Sequence, residues 1–200
     1  MPYVPVVADW LVDKFGGGSD SAYENMYKFI DGVHLLESSR GKNLENPKSN
    51  AEGDFQFMNT PDDELKEDKI NAYQVANNRT RDTMRAIGVP WDYEGIADRG
   101  SPLFEPYSVQ EDMFLSDLYQ KGGKGVTNEL FKRIMEGDSD AAVEMYSKYH
   151  HTKPEKKTIK KALDIFSGLR SREKEQEEDL PVQEYRGGGL IRDAYGRTLI

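Results

Sequence analysis

The chain runs to 200 residues without one cysteine. No covalent staple is available to it: disulfides, thiolate zinc sites, Fe–S clusters and cysteine nucleophiles are all excluded. The fold has to be held by packing alone, and would survive reducing and oxidising compartments alike. The material for packing is modest. Hydrophobic residues make up 36% and charged residues 32% of the chain, against roughly 45–50% apolar usage in ordinary globular domains. That suffices for one core of moderate size, with polar sequence left over for linkers, tails or partner surfaces. Twenty-seven Lys and Arg against 36 Asp and Glu leave a net charge of −9, which disfavours nucleic acid and anionic membrane surfaces as partners. No stretch approaches the ~18 apolar residues of a membrane span. The opening MPYVPVVADWLVDKF has no basic start and is broken by Asp9, so it does not read as a secretory signal.

Glycine and proline divide the chain. Residues 1–18 pass from Pro2 and Pro5 through VADWLVDKF to Gly16-Gly17-Gly18, and read as a short helical anchor closed by a hinge. Ser19-Asp20-Ser21 opens a helix, with Glu24 three residues after Ser21 in the spacing of a capping box. Met26, Phe29, Ile30, Val33 and Leu36 form its apolar stripe. Residues 38–60 read as loop or short strand. A long helix is expected from Pro61 to about Ile87, with acids in its first turn and Arg79, Arg81 and Arg85 near its end. Residues 88–108 are irregular. Helical patterns follow at Val109–Lys121, Thr127–Glu136, Ser139–His150 and Pro154–Gly168, then the charge run of residues 170–179 and a tail with Gly187-Gly188-Gly189. The expectation is a mainly α chain with minimal β: an anchor at 1–18, one main domain at 19–168, and a charged linker and tail at 169–200.

One carboxylate stands out. Glu37 lies four residues after Val33, seven after Ile30 and eleven after Met26, which puts it on the apolar stripe at the helix's C-terminal end. Desolvation and the negative end of the helix dipole both raise the pKa of an acid so placed. A raised carboxylic acid is what glycoside cleavage uses as its proton donor. The competing reading is a glutamate that merely frays outward at a helix end.

The surrounding text adds to this. HLLESSRGKNLENPKSNAEGDFQFMNTP, residues 34–61, holds Glu37-Ser38, a polar loop with Asn46-Pro47, and Gly53-Asp54-Phe55-Gln56-Phe57-Met58. It resembles the catalytic region of lytic transglycosylases in the lysozyme-like superfamily, where a helix ends in Glu-Ser and a Gly-x-x-Gln-x-Met stretch follows a loop. PYSVQEDMFLSDLYQ is similar to the family's Gln-led helix, and AVEMYSKYHHT takes the place of its Tyr-containing motif. The match spans residues 20–155 and is specific only in the first block. It departs from the pattern at Asp54, where the family carries an apolar residue, and at Asn59-Thr60-Pro61-Asp62, where a Pro-x-Thr-Ala run is usual.

The resemblance implies a lysozyme-like fold and cleavage of peptidoglycan between N-acetylmuramic acid and N-acetylglucosamine. Protonated Glu37 gives its proton to the glycosidic oxygen, then takes one from the sugar's C6 hydroxyl as a 1,6-anhydro ring closes. No cofactor or metal is implied. Gln56 lines the substrate site, Gly53 permits close backbone approach to the sugar, and Ser38 bonds Glu37 or the glycan. Tyr149, in preference to Tyr146, holds the Glu37 carboxylate or stacks on a sugar. Asp54 is either a turn former or the second carboxylate of a hydrolase.

His34, His150 and His151 do not make a zinc-helix motif. The basic face of Lys156, Lys157, Lys160 and Lys161 is solvated or meets anionic peptide stems. The tail GGGLIRDAYGRTLI resembles short C-terminal extensions of bacteriophage structural proteins, and a glycine-rich end calls for a partner to order it. The expected setting is a virion that holds several copies through residues 1–18 and 170–200 and delivers them to the host periplasm or cell wall. The alternative is a structural virion protein on the same scaffold, with weak or no activity.

Overall fold

Apolar residues spaced three and four apart fold the chain into six α-helices and one short hairpin among the described residues. The structure is a computed structural model and describes residues 3–60, 70–91, 100–121, 126–149, 159–160 and 163–164. The elements are α1 (Val7–Gly16), α2 (Asp20–Ser38), β1 (Ala51–Glu52), β2 (Phe57–Met58), α3 (Ala72–Ile87), a 3-10 turn at Pro102–Phe104, α4 (Tyr107–Lys121), α5 (Val126–Met135) and α6 (Ser139–Tyr149). This is the mainly α architecture with little β that the spacing predicts. The chain divides into two units, Met1–Leu169 and Arg170–Ile200. The second lies outside the described residues, as do the charge run and the glycine-rich tail. No helix among the described residues is long and apolar enough to cross a membrane.

The expected anchor is corrected. Val7, Ala8, Leu11 and Val12 are buried in the same core as α2, α4 and α5, so α1 is an integral helix of the first unit. Its start is held from across the fold. The carboxylate of Asp112 on α4 accepts the Val6 and Val7 amides at 3.1 and 2.8 Å and the Tyr3 hydroxyl, doing for α1 what a side-chain cap normally does. Its end is not a loose hinge either. A Cβ on Gly16 would stand 2.6 Å from that of Ala22 and 2.8 Å from the Met135 sulfur, so glycine there lets α1 close onto α2 and α5.

Two starts also differ from expectation. Helix α2 is capped by Ser19, whose hydroxyl accepts the Ala22 amide, while Glu24 pairs with Lys28 at 2.6 Å instead of closing a capping box. Helix α3 begins at Ala72 because Asn71 and Gln74 cap each other reciprocally there. Residues 61–69, expected as its first turns, lie outside the described residues. Of the expected helix at Pro154–Gly168, Ile159 and Leu163 are buried in the core, and the remainder is outside the description apart from Lys160 and Asp164.

Helix α4 is the central element. Every residue from Val109 to Leu118 is buried, and it packs against α1 and α3. The hairpin pairs Ala51 with Met58 and Glu52 with Phe57 in antiparallel register. It docks through Phe55, which stacks on Phe114 of α4 at 4.7 Å, and through Phe57, edge-on to Tyr73 of α3.

Candidate functional site

The site is built at the C-terminal end of α2. Met26, Ile30 and Val33 are all fully buried, and Glu37 continues their row. The side chain is half-buried, and burial pushes its carboxyl up to about 8. The cause is loss of water around the charged form, as the sequence position implies. From α6, the hydroxyl of Tyr146, itself 1% exposed, donates to Glu37 Oε1. An acid kept protonated at neutral pH, with a hydroxyl beside it to donate a hydrogen bond to the carboxylate once the proton leaves, is equipped for general acid and then general base work. Of the two tyrosines weighed from the sequence, the described one is Tyr146. Tyr146 is the residue on Glu37, while the side chain of Tyr149, the last residue of α6, is outside the described residues.

Directly after Glu37 the chain reverses. Ser39, Arg40 and Gly41 have φ of 53°, 56° and 76°, and Ser38, fully buried, stitches the reversal. Its hydroxyl donates to the His34 carbonyl at 3.3 Å and accepts the Gly41 amide at 3.0 Å. Ser38 is thus the turn's fastener and not a contact to Glu37. Arg40 adds a two-pronged pair to Asp31, both contacts at 2.9 Å.

The Gly-x-x-Gln segment forms the hairpin turn. Gly53 has φ of 81°, and a Cβ there would stand 2.3 Å from Gln110 Oε1 and 3.0 Å from Pro102 Cβ. The close approach it permits is therefore to the protein's own helix α4 and the preceding turn. Gln56, at φ 50°, donates its amide to the carbonyls of Gly53, Asn43 and Leu44 at 2.9, 3.2 and 3.4 Å, which ties the hairpin to the loop after α2. Its described contacts are all to main-chain carbonyls of the hairpin turn and of the loop after α2.

Asp54 is neither a simple turn residue nor a free second carboxylate. One oxygen lies 2.7 Å from His34 Nε2, and the other accepts Gln110 Nε2 at 3.1 Å. Its amide donates to Gln110 Oε1 at 2.8 Å, and Gln110 is anchored on the Glu105 carbonyl at 2.9 Å. Sequence reasoning weighed His34 as a metal ligand, a polar cap or a substrate-contacting edge, and Asp54 as a turn former or a second acid, but did not pair the two. Spacing does place His34 three residues before Glu37 on the same face of α2, but nothing local joins it to Asp54, 20 residues on. Among the described residues, no group of three or more His, Asp or Glu side chains could hold a metal ion.

Two further buried acids lie on α4. Glu111, 2% exposed, has an Oε1 atom with no hydrogen-bond partner among the described residues, and burial, then Asp112 and Asp9, raise it to about 8. Asp112 is pushed up to about 6 by burial, against the lowering effect of the Tyr3, Val7 and Val6 hydrogen bonds. Neither carried a sequence signal, because a helix buried on all sides shows no polar face against which a buried acid looks misplaced.

Comparison with family models, with curated proteins and with solved structures finds no match to this chain.

Proposed function

We propose that this chain is a peptidoglycan lytic transglycosylase, carried in a bacteriophage particle and opening the host wall locally during genome entry. One observation carries the reading: the Glu37 carboxyl is desolvated, raised to about 8 and met by the buried Tyr146 hydroxyl. Protonated Glu37 donates to the glycosidic oxygen between N-acetylmuramic acid and N-acetylglucosamine, and the bond to the leaving sugar breaks. The Glu37 carboxylate, steadied by Tyr146, takes the proton of the muramic C6 hydroxyl as its oxygen attacks C1 and closes the 1,6-anhydro ring. One carboxyl serves both steps and ends as it began.

The engagement of Asp54 favours cyclisation over hydrolysis. A hydrolase needs a second carboxylate with an oxygen open to water or to the sugar, and both Asp54 oxygens are taken up by His34 and Gln110. The unit Arg170–Ile200 is the segment proposed to bind other virion proteins, several copies per particle. Because α1 buries its apolar side in the core, only the outer side of the N-terminal segment remains for such contacts.

The test is digestion of purified peptidoglycan by wild type and Glu37→Gln, with products read by mass spectrometry. Anhydro-muropeptides that disappear with Glu37→Gln support the proposal. Reducing-end products would make the enzyme a hydrolase. No products from folded wild type would sink the enzymatic reading and leave a structural virion role.

A further inference from the structure

We propose that His34 and Asp54 are a positioning pair that holds the Gly53–Gln56 turn against the end of α2 and so sets where Glu37 stands. The proposal rests on the reading of Glu37 as the reacting acid. His34 lies one helical turn before Glu37, about 4.5 Å along the axis at 1.5 Å per residue. The helix end beyond it is the part that needs holding, since the chain leaves helical geometry at Ser39 with a run of positive φ.

The pair is itself fixed on both sides. The His34 ring lies 4.6 Å from the Tyr107 ring and 5.8 Å from that of Phe55, and Phe55 stacks on Phe114 of α4. Asp54 is pinned to Gln110 through both its main-chain amide and its carboxylate. The path α2–His34–Asp54–Gln110–α4 thus ties the helix bearing the acid to the central helix through the hairpin turn. Only 14% of the His34 side chain and 13% of the Asp54 side chain are exposed, so the contact is shielded from competing water. Misplacing a reacting group by about 1 Å costs on the order of 100-fold in rate, and this pair is the direct tie between the turn and the helix one step from Glu37.

The contact uses Nε2, which makes the test specific. A glutamine side chain places its amide nitrogen near the Nε2 position, and an asparagine side chain places its own near Nδ1, too short to reach Asp54. On soluble glycan strands, His34→Gln is expected to keep kcat within about 3-fold of wild type, and His34→Asn to lose about 10–100-fold with KM changed less than about 3-fold. The second reading needs no turnover. The Glu37 titration midpoint, followed by carbon NMR, is expected to fall by at least about one pH unit in His34→Asn, as water reaches the carboxyl, and to stay in place in His34→Gln. Among the described residues Tyr146 of α6 contacts Glu37, and His34 stands three residues before it on α2.

If His34→Asn fails to fold, Asp54→Ala serves instead: it removes the carboxylate from both His34 and Gln110, and is expected to show the same kcat loss and the same fall in midpoint. Parallel behaviour of His34→Gln and His34→Asn in both readouts would overturn the proposal, as would an unmoved Glu37 midpoint in His34→Asn and Asp54→Ala. A wild type without turnover, by contrast, would overturn the transglycosylase reading alone, with the midpoints still deciding the pairing.

Discussion

Burying carboxyls that stay protonated makes this protein more stable in mild acid than in mild base, and Glu111→Gln isolates the effect. Burial raises Glu111 from 4.5 to about 8. Its folded state therefore holds the proton more tightly than the unfolded chain does. The stability this contributes is complete below pH 4.5 and is lost as pH rises through about 8. Each tenfold in proton affinity is worth about 1.4 kcal/mol, which sets a ceiling of about 5 kcal/mol for the whole window. Water penetration on ionisation brings the expected figure to about 2–3 kcal/mol. Glutamine keeps the shape and cannot ionise. Urea unfolding of Glu111→Gln from pH 5 to pH 9 should then match wild type to within about 1 kcal/mol at the acid end and exceed it by about 2–3 kcal/mol at the alkaline end. Glu37, raised to about 8, and Asp112, raised to about 6, keep their own slopes in both proteins. Curves for wild type and Glu111→Gln that run parallel across the range would refute the reasoning.

Three further outcomes follow from the same contacts. Tyr146→Phe removes the hydroxyl from Glu37, and a hydrogen bond to a charged group is worth about 1.5–3 kcal/mol, so kcat on glycan strands should fall roughly 10–100-fold; an unchanged kcat would remove Tyr146 from the mechanism. Asp112→Ala strips the Val6 and Val7 amides and the Tyr3 hydroxyl of their acceptor and should cost about 2–4 kcal/mol in urea unfolding, with early loss of amide protection in α1 by hydrogen exchange. Glycan-cleaving activity should fall as pH rises through about 8, as Glu37 loses its proton, and a rate that climbs through that range would exclude Glu37 as the acid.

The sequence carried the acid more clearly than its surroundings. The row Met26, Ile30, Val33, Glu37 is local and repeats at helical spacing, which offers a desolvated carboxyl at a helix end beside the alternative of a glutamate fraying outward. Spacing alone does not separate Tyr146 from Tyr149, because the two sit three apart on one helix and a contact to Glu37 from another element, such as that of Tyr146, leaves no local trace. The triple glycine at 16–18 looked like a hinge since nothing local reveals that Ala22 and Met135 crowd Gly16. Asp54 looked either bland or catalytic since its partners are 20 residues back, at His34, and 56 residues ahead, at Gln110. Such long-range polar contacts leave no periodic trace. The buried acids of α4 escaped for the opposite reason: polar letters on a helix read as a solvated face until the structure places other helices around them.

Digestion of peptidoglycan in water enriched in heavy oxygen tests the central claim most directly, because a sugar that closes on its own C6 hydroxyl takes no oxygen from solvent. The account predicts anhydro products free of the label from wild type, and none above background from Glu37→Gln. Labelled reducing ends, or cleavage undiminished in Glu37→Gln, would contradict it.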